Sequence, residues 1–190
     1  MDEIKVIDDP QPKDGVINIP VPPVNPARVL SLGDPTMANQ LFPDAQIDVV
    51  DQVRTKLPAR YSKIQYDSIV SYLALPYIHY RNARKVIGEW AGYLKPGGSM
   101  HIFVPSLEWA AEQILSEEPS NAVHAVLYGG HYPNNFMCGY TMMDVRTLCE
   151  MNGLAVIYAR VGTYQLQEGE NLYVAETNYV MAVKPKKEKE

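Results

Sequence analysis

The apolar residues between positions 66 and 105 repeat in two different ways. Ile69 and Val70 belong to a short apolar run, which predicts a strand buried on both faces over residues 66–72; a buried helical segment has the same short pattern. Over residues 81–94 the spacing becomes that of a helix with one apolar and one charged face. The apolar positions of this predicted amphipathic helix are Ala83, Val86, Ile87, Trp90 and Leu94.

A proline and two glycines end the predicted helix. Proline cannot continue a helix and glycine tolerates positive φ, so the segment Lys95–Gly98 predicts a sharp turn. Residues Ser99–Val104, closed by Pro105, predict the next strand. Strand, helix, turn and strand together make a βαβ unit.

Similar patterns predict elements on both sides of this unit. Arg28–Gly33 and Ile47–Asp51 are short apolar runs that predict strands, and Leu107–Leu115 predicts a helix with one apolar face. Leu154–Val161 and Leu172–Val183 predict two more strands around a polar loop. Alternating strands and helices indicate an α/β fold.

Thr141 predicts the start of a further helix. Asp144 follows it three residues later, as in a capping box. Asn152 and Gly153 predict the end of this helix. Its apolar positions are Met142, Val145, Leu148 and Cys149, so Cys149 is predicted to be a core residue and not a nucleophile.

Composition and charge narrow the class of protein. A chain of 190 residues with 46% apolar and 21% charged residues is expected to form one globular domain. The net charge of −5 gives no reason to expect a nucleic-acid partner. No apolar run is long enough for a membrane span, and the acidic N-terminus lacks the features of a signal peptide, so a cytoplasmic location is expected. Two cysteines are too few for a disulfide scaffold.

Three regions are expected along the chain. Prolines dominate residues 1–27, which predicts an extended arm that packs along the domain; the alternative is a ligand for a proline-recognition module. Residues 28–183 form the predicted domain. Residues 184–190 form a tail of mixed charge, which predicts disorder.

The segments Leu94–Gly98 (LKPGG) and Ile102–Pro105 (IFVP) resemble a family pattern when taken with the strand that Asp67 opens. The order of strand, helix, turn and strand is similar to that in class I S-adenosylmethionine (SAM)-dependent methyltransferases. The resemblance implies a Rossmann-like α/β sheet, mostly parallel, with an antiparallel C-terminal strand pair. It also implies SAM as the cofactor.

The resemblance implies a set of cofactor-binding residues. In this family the first strand leads into a glycine-rich loop beside the cofactor. This chain keeps only the first glycine of that loop and has Pro35 and Met37 where small residues usually stand. The implied cofactor-binding residues are Gly33, Asp34, Asp51, Asp67, Ser71, Tyr72 and Leu73.

Two alignments of the second strand remain open. Asp51 follows Gly33 by 18 residues, close to the roughly 20 expected for an acid that binds ribose hydroxyls, and Asp48 competes for this role. In the other alignment Leu57 and Pro58 precede the strand that Asp67 opens. One strand of the sheet is then shortened or missing, and Asp51 lies near the adenine.

The segment Leu127–Thr141 resembles an insertion in a subgroup of methyltransferases that modify surface glycans and small molecules. The resemblance implies a substrate lid in which Tyr132, Asn135 and Tyr140 contact the acceptor. His131 and His79 are the candidate general bases. Alternatively, the loop only covers the sheet edge, and His79 belongs to the surface at a helix start.

Two functions compete. The first is SAM-dependent methyl transfer to a small-molecule or glycan-like acceptor, favoured by Asp51, Asp67 and the lid-like loop. The second is a non-catalytic binding or assembly module with the methyltransferase fold. It is favoured by the four departures from the family pattern, which are Pro35, Met37, Leu75 and Pro76. A nicotinamide-dependent dehydrogenase fits poorly, because no G-x-G-x-x-G follows the first strand.

Overall fold

A computed structural model describes residues 27–50, 61, 64–116, 122–129, 136–168 and 171–186, and the structural statements below concern these residues. Six strands and five α-helices are described in this part of the chain, with a 3₁₀ turn at Leu75–Tyr77. In chain order they are β1 (Arg28–Gly33), α1 (Thr36–Leu41), β2 (Gln46–Val50), β3 (Tyr66–Tyr72), α2 (Tyr80–Tyr93), β4 (Leu94–Pro105), α3 (Leu107–Leu115), α4 (Ala122–Tyr128), α5 (Met142–Glu150), β5 (Ala155–Glu168) and β6 (Asn171–Val183).

The six strands form one sheet in the order β2-β1-β3-β4-β6-β5. Strands β1 to β4 are mutually parallel, whereas β6 is antiparallel to both β4 and β5. The expected fold class is therefore confirmed. Within the described residues no strand lies beyond β2 at that edge of the sheet.

Strands β1 and β3 and helix α3 have the predicted bounds, and α2 begins and ends one residue early. The capping box of α5 is confirmed. The Thr141 hydroxyl accepts a hydrogen bond from the Asp144 N–H, and the Asp144 carboxylate accepts one from the Thr141 N–H. Cys149 lies in the core, and burial raises the pKa of its thiol to about 12. No helix among the described residues is long and apolar enough to cross a membrane.

The predicted turn at Lys95–Gly98 is a bulge inside β4. Tyr66 pairs with Leu94, but Ser68 pairs with Ser99. Residues 95–98 of β4 therefore lie opposite the single residue Asp67 of β3. Gly98 is close to the Asp67 carbonyl oxygen, which would lie 2.8 Å from an added Cβ. Lys184, just after β6, brackets the bulge: its carbonyl accepts from the Gly97 N–H (2.7 Å) and its N–H donates to the Gly98 carbonyl (2.9 Å).

Helices cover the two faces of the sheet unequally. The first face packs against α2 and α5 in the largest apolar cluster, and the second face carries α1. Ile69 points to the first face and Val70 to the second, because side chains alternate along a strand. This explains the continuous apolar run in β3. A third apolar cluster joins α3 and α4 to the parts of β5 and β6 that extend past β4.

The second face of the sheet contains a buried chain of polar groups. The hydroxyls of Ser68 and Ser99 are 2.7 Å apart, and Ser99 Oγ is 2.9 Å from His101 Nε2. His101 Nδ1 is 2.9 Å from the Tyr179 hydroxyl. His101 is completely buried, and this burial lowers its pKa to about 3. The imidazole is therefore neutral. Both of its nitrogens are hydrogen bonded within the core, so its role is structural.

Candidate functional site

The connections of the sheet diverge between β1 and β3. Strand β1 continues through α1, on the second face, to β2 on one side; β3 continues through α2, on the first face, to β4 on the other. The carboxyl ends of β1 and β3 are neighbours, with Gly33 opposite Tyr72. Ligands of open α/β sheets bind at such a switch point. Gly33, Asp34, Tyr72 and Leu73 line this position and are called the switch-point crevice below.

Gly33 needs to be glycine for two reasons. Its φ of +88° is one that side chains with a Cβ rarely adopt. An added Cβ would lie 3.0 Å from the Tyr72 carbonyl oxygen and 3.6 Å from the Cβ of Ala74. Glycine therefore lets the two strand ends approach each other closely.

Asp34 presents the exposed carboxylate of the crevice. Its Oδ1 accepts a hydrogen bond of 2.7 Å from the Thr36 N–H, at the first turn of α1. Two of the residues that depart from the family pattern follow Asp34, and both have structural roles. Pro35 is the N-cap of α1, and Met37 packs against the apolar cluster of the second face. Burial raises the pKa of Tyr72, and the nearby Asp34 carboxylate raises it further, so the phenol remains protonated near neutral pH.

Leu73 has an unusual backbone conformation. Its φ is +52°, and no other described residue except glycine has a positive φ. The Leu73 N–H donates to the Phe103 carbonyl at 3.0 Å, and its side chain packs against the third cluster. Residues held in sparsely populated regions occur often at functional sites, because such strain is retained where the surroundings require it.

Ser71 is buried next to the crevice with an unused hydroxyl. The residue has no exposed surface, and its Oγ has no hydrogen-bond partner among the described residues. It lies on β3 between Leu32 of β1 and Ile102 of β4. An unpaired buried hydroxyl is costly, which makes Ser71 Oγ a candidate for a hydrogen bond with a group outside the described residues.

Asp67 lies away from the other predicted cofactor-binding residues. It stands at the amino end of β3, and Tyr72 stands at the carboxyl end, roughly 16 Å farther along the strand. Its Oδ1 is 2.6 Å from Lys95 Nζ, and its Oδ2 accepts from the Arg28 N–H at 3.0 Å. The structure gives Asp67 the role of joining β1, β3 and the bulge of β4.

Asp48, the competitor of Asp51, is also engaged. Its Oδ2 accepts hydrogen bonds from Arg28 Nε at 2.9 Å and from the Tyr66 hydroxyl at 2.8 Å. Burial and the bond to this carboxylate raise the pKa of Tyr66. Asp48 is thus held by β1 and β3, and Asp51 lies outside the described residues.

Two more predicted site residues have structural contacts. His79 is the exposed N-cap of α2, and its Nδ1 accepts a hydrogen bond of 3.2 Å from the Arg81 N–H. The lone pair that a general base needs is therefore engaged at Nδ1. Tyr140 has no exposed surface, and its hydroxyl donates to the Ile78 carbonyl at 3.2 Å. A residue so placed is part of the core and does not face an open cleft.

The remaining predictions fall in the lid-like segment. His131, Tyr132 and Asn135 lie outside the described residues. On the described flanks, the Phe136 N–H donates to the Tyr128 carbonyl at 2.8 Å, and the Met137 N–H donates to the Pro76 carbonyl at 2.7 Å. Both flanks are thereby fixed near the 3₁₀ turn that follows Leu73.

Tyr164 is a residue that the sequence does not single out. It is buried in the third cluster with Leu73, and its hydroxyl has no hydrogen-bond partner among the described residues. Burial raises its pKa, and the phenol of Tyr72 adds to this effect, which places the two tyrosines near each other. No periodicity marks Tyr164, because its contacts come from elements distant in sequence.

Comparison with known proteins identifies similar structures but no similar sequence family. No family model and no curated protein sequence matches this chain. Solved structures do. A putative methyltransferase from Bacillus halodurans C-125 is 14% identical with a TM-score of 0.58, covering 85% of this chain and 93% of its own. An O-methyltransferase family protein from Burkholderia thailandensis is 14% identical with a TM-score of 0.55, covering 86% of this chain. This chain spans about half (52%) of that protein.

A third similar structure contains a cofactor product. It is the 1,6-didemethyltoxoflavin-N1-methyltransferase of Burkholderia thailandensis, with bound 1,6-didemethyltoxoflavin and S-adenosylhomocysteine. It is 13% identical with a TM-score of 0.55, covering 85% of this chain and 72% of its own. Such low identities establish the architecture alone. The chain has the fold of class I SAM-dependent methyltransferases.

Proposed function

We propose that this protein transfers a methyl group from SAM to a small-molecule or glycan-like acceptor. The observation that carries the proposal is the switch-point crevice itself. It combines Gly33, which keeps the end of β1 close to β3, with the strained Leu73. It occupies the ligand-binding position of a fold whose solved examples include one with S-adenosylhomocysteine bound.

The residues at the crevice fit such a cofactor. Ser71 offers a buried hydroxyl with no partner among the described residues. The exposed carboxylate of Asp34 is able to accept hydrogen bonds from hydroxyl or ammonium groups. The half-buried side chains of Tyr72 and Leu73 would contact apolar parts of the ligand. SAM, when bound, supplies a methyl group on a positively charged sulfur.

The chain's own contribution is to position the reactants and exclude water. His131 remains the proposed general base for an acceptor with an acidic proton, with Tyr132 and Asn135 as proposed acceptor contacts. His79 is a weaker candidate, because its Nδ1 caps α2. Asp51 remains the proposed ribose ligand, because Asp48 and Asp67 each have partners elsewhere.

Calorimetric titration with SAM and S-adenosylhomocysteine tests the proposal. We expect binding to the wild type, a loss of affinity in Asp51→Ala, and unchanged affinity in the matched variant Asp67→Ala. A bound ligand at a hundredfold excess over its Kd would also stabilise the protein by about 2.7 kcal/mol. Absence of binding at millimolar concentration of either ligand, with the protein folded, would refute the proposal.

The second candidate is a non-catalytic module with the same fold. Met37 favours it, because this side chain occupies apolar space of the core where the family loop has small residues. The same titration separates the two functions. A folded protein that binds neither ligand supports the module, and one that binds S-adenosylhomocysteine supports the enzyme.

A further inference from the structure

Tyr164 lies beyond the end of β4, at the end of the sheet where the switch-point crevice opens. Pro105, the last residue of β4, is opposite Thr177 of β6, and Thr177 is opposite Gly162 of β5. The part of β5 after Gly162 therefore extends past the carboxyl end of β4. Because β3 and β4 are parallel, this is also the end at which Tyr72 stands.

The rings of Tyr72 and Tyr164 belong to the same face of the sheet. Tyr72 is two residues after Val70, which points to the second face. Tyr164 is six residues after Tyr158, which packs against the same cluster, and the pairing with β6 is regular between them. Side chains alternate along a strand, so an even separation keeps the same face. Leu73, the residue after Tyr72, packs in the third cluster with Tyr164, so the two phenols lie near each other.

Three oxygen-bearing side chains of this region differ in exposure. The Asp34 carboxylate is exposed, Tyr72 is half-buried, and Tyr164 is 7% exposed. The Tyr164 hydroxyl has no hydrogen-bond partner among the described residues, and an unpaired buried hydroxyl is costly. A polar ligand group that reaches past Asp34 and Tyr72 would give this hydroxyl a partner.

The charge and chemistry of these groups favour a cationic ligand group. Asp34 contributes a negative charge, which acts on the phenol of Tyr72 and raises its pKa. A protonated phenol accepts hydrogen bonds at its oxygen, and the face of its ring attracts positive charge. An ammonium group has one positive charge and three N–H donors. One carboxylate and two neutral phenols therefore match it in charge and in the number of acceptors.

We propose that Asp34, Tyr72 and Tyr164 bind the ammonium group in the amino-acid part of SAM, with Tyr164 as the most deeply buried acceptor. The inference rests on the proposed function and extends it to the orientation of the ligand. The amino-acid end of SAM then points away from β2, towards β5. This orientation agrees with Asp51 as the proposed ribose ligand, because Asp51 follows β2 in sequence.

Calorimetric titration with three related ligands tests the inference. S-adenosylhomocysteine has the ammonium and the carboxylate, decarboxylated SAM has only the ammonium, and methylthioadenosine has neither. Tyr164→Phe and Asp34→Asn should each raise the Kd for the first two ligands by roughly tenfold, because each variant weakens a hydrogen bond to a charged group. Neither variant should change the Kd for methylthioadenosine. Asparagine keeps an acceptor for the Thr36 N–H, and Tyr93→Phe, at the end of α2, is the matched control and should change no Kd.

Urea unfolding without ligand gives a second readout for Tyr164. Its unpaired hydroxyl should contribute nothing to folding, so Tyr164→Phe should be at least as stable as the wild type. Tyr66→Phe should be less stable, because the Tyr66 hydroxyl donates to Asp48. A loss of stability in Tyr164→Phe as large as that in Tyr66→Phe would show a structural role for the Tyr164 hydroxyl and overturn the inference.

The outcomes separate this inference from the proposed function. A folded wild type that binds none of the three ligands refutes both. A wild type that binds S-adenosylhomocysteine with a Kd that Tyr164→Phe leaves unchanged overturns the inference alone. An effect of Tyr164→Phe on S-adenosylhomocysteine that disappears with decarboxylated SAM overturns the ammonium contact in favour of the carboxylate. An effect that persists with methylthioadenosine overturns it in favour of the nucleoside.

Discussion

The two ends of the central strands differ in how their polar groups are used. At the amino end, Asp67 is paired with Lys95 and with the Arg28 N–H, and Asp48 accepts from Arg28 and Tyr66. At the carboxyl end, Asp34 is exposed, Ser71 Oγ has no partner among the described residues, and Leu73 is strained. The polar side chains of the amino end stabilise the fold, whereas the carboxyl end has an exposed carboxylate and a buried hydroxyl with no partner among the described residues. This difference is the basis for proposing the ligand site at the carboxyl ends of these strands.

The buried polar chain extends the stabilising end towards the middle of the sheet. Ser68 and Ser99 follow Asp67 and Gly98 directly, and they lead to His101 and Tyr179. Every side chain in this series has a partner. The hydrogen bonding of this series is therefore satisfied within the sheet.

The largest effect is expected from Gly33→Ala. The substitution places a Cβ 3.0 Å from the Tyr72 carbonyl at a φ of +88°, so we expect the free energy of unfolding to fall by on the order of 3 kcal/mol. Urea unfolding measures this. Gly92→Ala is the control, because an added Cβ there meets no atom within 4 Å, and alanine in a helix gains about 0.5–1 kcal/mol. Equal effects at the two sites would show that the crevice is not closely packed.

His101 allows a pH-dependent test of how much the buried polar chain contributes to stability. Its folded pKa of about 3 lies below the unfolded value of 6.5, so its contribution is complete above about pH 6.5 and is lost as the pH falls towards 3. The slope is about 1.4 kcal/mol per pH unit. In urea unfolding, the difference between the wild type and His101→Gln should shrink by about 2 kcal/mol from about pH 7 to about pH 5. A constant difference would mean that the imidazole has the same pKa in the folded and the unfolded state.

Asp67→Ala should have a smaller effect. It should lower stability and leave the affinity for S-adenosylhomocysteine unchanged. It removes a charged partner of the Arg28 N–H and of Lys95, which we expect to cost about 1 kcal/mol, since the Lys95 side chain is 44% exposed and the pair is partly screened. Lys95→Ala should cost less, because the Arg28 N–H keeps its acceptor. A fall in affinity for S-adenosylhomocysteine in Asp67→Ala would contradict the division between the two strand ends.

The smallest effect is expected at Leu73. Asparagine tolerates a positive φ better than alanine, and both substitutions remove the same packing, so Leu73→Asn should be more stable than Leu73→Ala by about 0.5–1 kcal/mol. Thermal unfolding of the two variants measures this difference. The opposite order would show that the backbone relaxes once the leucine side chain is removed.

Local sequence patterns were sufficient for most elements. The bounds of β1 and β3 follow from short apolar runs, and the start of α5 follows from Thr141 and Asp144. The bulge of β4 could not be predicted, because it depends on the partners Tyr66 and Lys184. Strand β6 lies within one residue of its predicted bounds, whereas β5 continues past its predicted end at Val161 to Glu168. This extension was missed, since Tyr164 is held there by α3 and α4 and not by an apolar alternation of the strand itself.

The candidate site was harder to predict, because residue type does not reveal strand polarity by itself. Gly33 is the last residue of its strand and Asp67 is the second of its own, so in a parallel sheet they stand at opposite ends. Their opposite positions could therefore have been predicted from where each residue falls within its strand. By contrast, the burial of Tyr140 and the strain at Leu73 come from contacts between distant segments.

The position of β6 between β4 and β5 sets the order in which the chain can fold. All of its partners precede it in sequence, so the edge of β4 stays unpaired during synthesis until β6 is made. The same late segment supplies Lys184, whose Nζ donates to the Ala91 and Leu94 carbonyls at the end of α2. Long-range pairing of this kind is slow and leaves apolar strand edges exposed to other chains. Strands β4 and β5 can therefore belong to one sheet only after β6 has been made.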